Sequence, residues 1–239
     1  MKSSHQIYNG VVERLKEYRK ELGVSQSEMG TYLGVTQSHY LKLEKGMKVI
    51  SKRSLLTFRD SGKDVFWLLT GRKSGNGILD CFLKEFDHAA QRRKMLENII
   101  WVTEEGARIS GDDYDESLNK AYRLMKVSDL DEEFIWKKIR DAENLTQIEM
   151  AEILDINIKR YRKIEKGEIA EDAEILAALY EKLRYSPMLI LDRERYCLDE
   201  LNEIWGKFEN SMLQRFLQYL KYSSEILKYK KEKGVCSEQ

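Results

Sequence analysis

The side chains that most often carry catalysis or bind metals are sparse in this 239-residue chain. Its histidines and cysteines lie far apart in the sequence and show neither a C-x-x-C spacing nor another pattern of metal ligands. These residues are His5, His39, His88, Cys81, Cys197 and Cys236. We therefore expect reduced thiols, no metal, no cofactor and no enzymatic activity, because the sequence offers no pairing of a nucleophile with a base.

Two short motifs resemble ligand sites only superficially. The acidic run DDYDES, residues 112–117, could suggest a cation site, but isolated acidic runs are usually solvated loops or helix starts. The stretch GRKSGNG, residues 71–77, is glycine-rich but lacks the G-x-x-x-x-G-K-[ST] order of a phosphate-binding loop. We interpret it as a flexible linker.

The balance of charges changes along the chain and is more informative. The formal net charge is zero, yet residues 1–73 hold 14 Lys and Arg against 7 Asp and Glu, while residues 131–190 hold 10 against 14. A basic region favours polyanionic partners, whereas an acidic region does not. Only the first of these two regions is basic.

The overall composition predicts an all-α protein. The chain contains one proline, Pro187, and many Leu, Lys, Glu and Tyr residues, so little in it interrupts helices. No apolar run approaches the length of about 18 residues that a membrane helix needs. The start, MKSSHQIYNG, lacks the apolar stretch of a secretory signal, so we expect a cytoplasmic protein with no membrane partner.

An internal repeat organises the sequence. Residues 16–46 align with residues 137–167 without a gap, at an offset of 121, and 11 of the 31 positions are identical. Among the identical pairs are Arg19/Arg140, Gln26/Gln147, Tyr40/Tyr161, Glu44/Glu165 and Gly46/Gly167. Such a match indicates a duplicated structural unit.

The pattern of capping and turn residues predicts a series of short helices in each copy. In the first copy, a helix ends at Gly23, and Ser25 with Glu28 forms a capping box that begins a second helix. Gly34 then allows a sharp turn, and Thr36 caps a third helix. The second copy repeats the capping box as Thr146 and Glu149 and replaces Gly34 and Thr36 with Asp155 and Asn157. Asp tolerates the left-handed backbone of such a turn better than most residues.

Long helices are predicted outside the two copies. Apolar residues at helical spacing from Leu79 to Ile100 predict one long central helix, followed by a turn around the segment GARISGDD, which begins at Gly106. The apolar residues of the tail recur at intervals of three and four: Leu198, Leu201, Trp205, Phe208, Met212, Phe216, Leu220 and Leu227. This seam could pair with a second chain or pack back onto its own chain.

We divide the chain accordingly into four segments. These are a first domain at 8–71, a linker with connecting helices at 72–130, a second domain at 131–191, and C-terminal helices at 192–232.

The repeated pattern resembles the Cro/lambda-repressor type of helix-turn-helix, the XRE family. Its marks are a helix, the sequence S/T-Q-x-E-M, a turn, and a third helix that closes on E-K-G, and they occur twice in register. The resemblance implies an all-α protein that binds double-stranded DNA in a sequence-specific manner and regulates transcription, more specifically as a repressor. The sequence contains no segment that resembles the self-cleaving protease domain of some phage repressors, so we expect no inactivation by autoproteolysis.

The resemblance also implies which residues of the first copy contact DNA. The third helix would place its first turn against base edges in the major groove, and the second helix would meet a phosphate. Gln suits an adenine edge and Lys suits guanine, while the cationic loop after the third helix suits the phosphate backbone. The expected base contacts are Gln37, Ser38, His39 and Lys42, and the expected phosphate contacts are Gln26, Lys45, Lys48, Lys52 and Arg53.

The corresponding residues of the second copy are also basic. The expected base contacts are Ile158, Lys159, Arg160 and Lys163, with Gln147 at a phosphate. The loop that follows, KGEIAEDAE, is acidic where the first copy is basic, so we expect weaker DNA binding by this copy. It either reads an adjacent half-site or has a regulatory or dimerising role.

Other residues shared by the copies have structural interpretations. By the same resemblance, Arg19 with Glu44 and Arg140 with Glu165 form ion pairs that maintain the fold. The helical spacing of Tyr40 and Tyr161 from their apolar neighbours predicts that both rings lie in the core.

Two further expectations concern partners. We expect a homodimer through the tail or the central helix, because two linked reading heads raise affinity for DNA. The alternative is an interaction protein, such as an antitoxin or an accessory factor, whose second domain and tail bind another protein.

Overall fold

The part of the chain that the structure describes is mainly α-helical. The computed structural model describes residues 2–73, 77–110, 135–192 and 198–232, which contain no strand beyond one isolated bridge. The helices are α1 (Ser4–Glu21), α2 (Gln26–Tyr32), α3 (Gln37–Glu44), α4 (Lys52–Asp60), α5 (Val65–Thr70), α6 (Asp80–Lys84), α7 (Ala89–Ser110), α8 (Ile135–Ala142), α9 (Gln147–Ile153), α10 (Ile158–Glu165), α11 (Ala173–Leu183), α12 (Met188–Leu191), α13 (Leu198–Trp205) and α14 (Asn210–Glu232). The predicted all-α class is confirmed.

The chain folds into two compact units that are discontinuous in sequence. The described residues of the first unit are 2–73 and 135–192, so this unit contains both copies of the repeat. The second unit consists of residues 77–110 and 198–232. The first copy corresponds to α1–α5 and the second copy to α8–α12.

The helix boundaries predicted for the first copy are confirmed. The hydroxyl of Ser25 accepts a hydrogen bond from the backbone of Glu28, and the Glu28 carboxylate accepts one from the backbone N–H of Ser25. Gly34 has a φ of +66°, so it supplies the left-handed residue of the turn before α3. Thr36 then caps α3 by accepting from the backbone of His39.

The second copy uses different residues for the same geometry. Thr146 and Glu149 form the capping box of α9, and Asn157 caps α10 by accepting from the backbone of Lys159. Asp155, which replaces Gly34, has a φ of +55°. The predicted departure at the turn is therefore accommodated with an ordinary left-handed Asp.

Helix α11 is the centre of the first unit. Eight of its eleven residues are buried, on all sides of the helix. Such a helix must be covered by more than one neighbour. It packs against α1 and α5 of the first copy, so the core of this unit is shared by the two copies.

The second unit differs from the prediction in two ways. The prediction of a single central helix is wrong, since α6 ends at Lys84 and α7 begins at Ala89. The turn around Gly106 is also wrong, because α7 continues through Gly106 to Ser110. Gly106 is buried, and a Cβ at this position would lie only 2.6 Å from the Phe216 ring and 2.7 Å from the Phe208 ring. The glycine therefore permits close packing of aromatic rings and does not mark a turn.

The apolar seam of the tail packs within its own chain. Trp205 is fully buried, donates a hydrogen bond to the hydroxyl of Thr103 at 2.7 Å, and contacts the rings of Phe208 and Phe216. Leu220 is also buried. These residues join α13 and α14 to α7, so the predicted seam forms the core of the second unit.

We predict that Gly106→Ala destabilises the protein. The added methyl must displace the buried Phe208 ring and the half-buried Phe216 ring, which costs about 1–3 kcal/mol. The matched control is Gly10→Ala in α1, whose new Cβ would meet only the flexible side chain of Arg14 within 4 Å. The control should gain up to about 1 kcal/mol from helix propensity. Urea unfolding followed by circular dichroism measures both, and equal shifts in the two variants would contradict the packing role.

Candidate nucleic-acid interface

A buried carboxylate holds together the first three helices of the first copy, α1, α2 and α3. Glu44, at the end of α3, accepts hydrogen bonds from Arg19 Nε at 2.8 Å, Gln26 Nε2 at 2.6 Å and the hydroxyl of Tyr40 at 3.2 Å. Burial opposes ionisation of Glu44, but these donors, with Arg19 first, keep its pKa below the ordinary value. The predicted Arg19–Glu44 ion pair and the buried position of Tyr40 are thereby found in the structure.

The second copy contains a similar cluster, in which the glutamate again accepts hydrogen bonds from an arginine and a glutamine but not from the tyrosine hydroxyl. Arg140 Nε donates to Glu165 at 2.8 Å, and Gln147 Nε2 donates to the other carboxylate oxygen of Glu165. The amide oxygen of Gln147 also accepts a hydrogen bond from Arg162 at 3.1 Å. Tyr161 is fully buried beside this cluster, as predicted.

The clusters place the two predicted phosphate-binding glutamines at the starts of α2 and α9. Each glutamine donates one hydrogen bond to its glutamate, and a side-chain amide has two hydrogens to donate. Gln26 and Gln147 therefore have a structural role that the sequence did not indicate. The contact fixes the first turn of the second helix relative to the third helix.

One side of α3 presents polar side chains to solvent. Gln37, Ser38 and Lys42 are exposed, and His39 is half-buried. The opposite face of α3 buries Tyr40 and Leu43 in the core. The helix therefore separates residues that hold it in place from residues that are free to contact a base edge.

The loop after α3 is anchored to α1. The Tyr8 hydroxyl donates to the carbonyl of Lys48 and accepts from the backbone N–H of Ile50, both at 3.1 Å. Burial raises the pKa of Tyr8 to about 12, so the phenol stays protonated and keeps its donor. Lys45, Lys48 and Arg53 are exposed around this fixed loop. Sequence reasoning missed Tyr8, because a contact across 40 residues leaves no local signal.

Lys52 differs from the other predicted phosphate contacts. Its ammonium group lies 3.0 Å from the Glu171 carboxylate of the second copy. Glu171 is buried and also accepts a hydrogen bond from the Trp136 indole at 2.6 Å. Part of the acidic segment of the second copy is therefore neutralised inside the unit.

The exposed side of α10 is more cationic than that of α3. Lys159 and Lys163 are exposed, while Ile158 and Arg160 are half-buried. Arg160 forms an ion pair with Asp172, whose other carboxylate oxygen caps α11 by accepting from Ile175. Of the four predicted base contacts in this copy, the two lysines are the most accessible.

Comparison with known families identifies the repeated unit. The helix-turn-helix family model matches residues 15–57 and again residues 137–190. The chain carries two tandem helix-turn-helix domains of the XRE family. No curated protein and no solved structure matches the chain. Domains of this family are the DNA-binding parts of transcription regulators.

The structure also bears on metal sites, membrane-spanning helices and the cysteines. Among the described residues, no group of three or more His, Cys, Asp or Glu side chains could hold a metal ion. None of the helices in the described segments has the length and apolar character needed to cross a bilayer. Cys81 is a free, exposed thiol. Cys197, Cys236 and the DDYDES run lie outside the described residues.

We predict that the Glu44 cluster stabilises the first helix-turn-helix domain in a pH-dependent manner. Because the folded-state pKa of Glu44 is lowered, its contribution is present above the ordinary value of 4.5 and is lost as the pH falls through the folded-state pKa. Glu44→Gln should therefore cost about 1–3 kcal/mol at pH 6 and less at pH 3, below the ordinary pKa.

Urea unfolding at the two pH values measures this difference, with Glu21→Gln on the exposed end of α1 as the matched control. The control should show a small effect at both pH values. A Glu44→Gln cost that does not change with pH would show that the carboxylate charge is not the stabilising feature.

Proposed function

We propose that this protein is a regulator of transcription that binds specific sequences of double-stranded DNA and acts as a repressor. The observation that carries the proposal is the exposed side of α3, where Gln37 and Ser38 of the first turn and Lys42 of the last turn face solvent while the other side of the helix is buried in the core. An amide and an ammonium group held on the exposed side of a fixed helix are suited to base edges in the major groove.

The charges beside α3 support the same function. The loop fixed by Tyr8 presents Lys45, Lys48 and Arg53 to solvent, next to Gln26 with its remaining amide hydrogen. These groups suit phosphate oxygens, which set the position of the protein but carry no sequence information. A regulator of this kind must reach the DNA, so this proposal includes the cytoplasmic location expected from the sequence.

In vitro selection of duplex DNA from a random pool by the full-length chain, near physiological salt, tests the proposal. An enriched motif supports it, and folded protein that enriches none overturns it.

On the enriched motif, Lys42→Ala should relax the preference at one base pair and cost about 1–3 kcal/mol. Lys48→Ala should weaken binding to all sequences alike and reduce the salt dependence by about one counterion. Identical behaviour of the two variants would contradict this division of roles.

A second candidate function, association through the tail, has separate support. One face of α14 exposes Tyr219, Tyr222, Ile226 and Tyr229, which are 42 to 59% exposed and recur at intervals of three, four and three. This spacing is typical of a helix that pairs with another helix. We propose that this exposed tail face joins two chains into a homodimer, which is the dimer expected from the sequence through a different set of residues.

Charge insertion into the exposed tail face tests the homodimer. Tyr222→Glu with Ile226→Glu should raise the dimer dissociation constant at least tenfold, because apolar contacts would be replaced by like charges. Gln214→Glu, also exposed on α14, is the matched control. Sedimentation velocity over a range of concentrations measures the change. A wild-type chain that stays monomeric would exclude the homodimer and favour a different protein as the occupant of this face.

A further inference from the structure

Equivalent residues of the two copies meet at one point in the first unit. Ser51 and Asp172 form an isolated antiparallel bridge, and the backbone N–H of Ala173 donates to the carbonyl of Ile50 at 2.9 Å. The numbers 51 and 172 differ by 121, which is the offset of the internal repeat. An antiparallel pairing of two equivalent residues is the arrangement that a local two-fold axis produces.

The packing of helices around this bridge is reciprocal. Helix α4 of the first copy contacts α12 of the second, and α11 of the second copy contacts α5 of the first. By the same offset, α4 is equivalent to α11 and α5 to α12. These two contacts are exchanged when the copies are exchanged, as contacts in an isologous dimer are. Helix α11 makes a further contact with α1 of the first copy.

Several specific contacts hold the copies in this arrangement. Lys52 pairs with Glu171 at 3.0 Å, and Arg59 donates to the carbonyl of Leu191 at 2.6 Å. The Ser4 hydroxyl donates to the carbonyl of Leu154 at 2.6 Å, next to the turn that leads into α10. Together with the apolar burial of α11, these contacts fix the position of α10 relative to α3.

We propose that one chain reads an inverted-repeat operator by itself, with α3 on one half-site and α10 on the other. The inference rests on the proposed function and adds its geometry. Each third helix ends seven residues before the bridge, at Glu44 and Glu165, and each exposes polar side chains, among them the equivalent Lys42 and Lys163. A two-fold axis between them orients the two reading helices in opposite directions along the DNA, which matches inverted half-sites.

The two half-sites of this operator differ in sequence. At the first position of the reading helix, Gln37 of the first copy is replaced by Ile158 of the second. Gln suits adenine, whereas an apolar side chain suits the thymine methyl group. At the next position, Ser38 is replaced by Lys159, which suits guanine. The operator is therefore an imperfect palindrome.

Synthetic operators derived from the selected motif test the geometry with the full-length wild-type chain. The half-sites should be inverted, with centres about one helical turn, or roughly 10 base pairs, apart. Reversing one half-site, so that the two form a direct repeat, should weaken binding at least about 100-fold, because the contacts to that half-site are lost. Inserting 5 base pairs between the half-sites should have the same effect. Titration well above the dissociation constant should reach equivalence at one operator per chain, whether or not chains also associate through α14.

A matched pair of variants assigns the half-sites. Lys42 and Lys163 are equivalent, and both are exposed on their reading helices. Lys42→Ala should relax the preference at one base pair, and Lys163→Ala should relax it at the symmetry-related base pair on the other side of the centre. Each variant should lose at least about fivefold in affinity for the operator.

The outcomes separate this inference from the proposed function. Failure to select any DNA sequence overturns the proposed function and the inference together. A direct repeat, a single half-site, or equivalence at two chains per operator overturns the inference and leaves DNA binding intact. A variant with both Lys159→Ala and Lys163→Ala that binds the operator as the wild type does would also overturn it, since neither exposed lysine among the predicted base contacts of α10 would then contact a base.

Discussion

The burial of α11 is the constraint on which the first unit depends. A helix with eight apolar or aromatic residues buried on all sides has no face to give to water. The second copy can cover only part of it, and α1 and α5 of the first copy cover the rest. The two helix-turn-helix domains are consequently one folding unit, although each copy contains a complete set of helices for the motif.

This shared core changes the meaning of the charges in the second copy. Its acidic segment was expected to repel the phosphate backbone, but Glu171 is buried against Lys52 and Trp136, and Asp172 binds Arg160 and caps α11. Two of the acids thus serve packing between and within the copies. The same contacts reduce the availability of Lys52 and Arg160 to DNA, which leaves Lys159 and Lys163 as the exposed cationic groups among the predicted base contacts of α10.

Local features of the sequence were predicted well. The capping boxes, the left-handed turns at Gly34 and Asp155, and the Arg19–Glu44 ion pair all depend on residues that are near in sequence or belong to a recognisable motif. The errors lie in the second unit, where periodicity predicted one central helix and a turn at Gly106. Glycine is frequent both in turns and where rings pack against a helix, and only the positions of Phe208 and Phe216 distinguish the two.

The sequence by itself determined the helical class, the two copies of the motif and the side chains at the start of each reading helix, because caps, turns and periodicity act over a few residues. The tertiary structure alone decided which surfaces those copies bury. The bridge between Ser51 and Asp172, the anchoring of the loop by Tyr8 and the partner of Lys52 all join residues 40 or more positions apart. Such contacts depend on how apolar faces are shared between elements, and no local pattern encodes that choice.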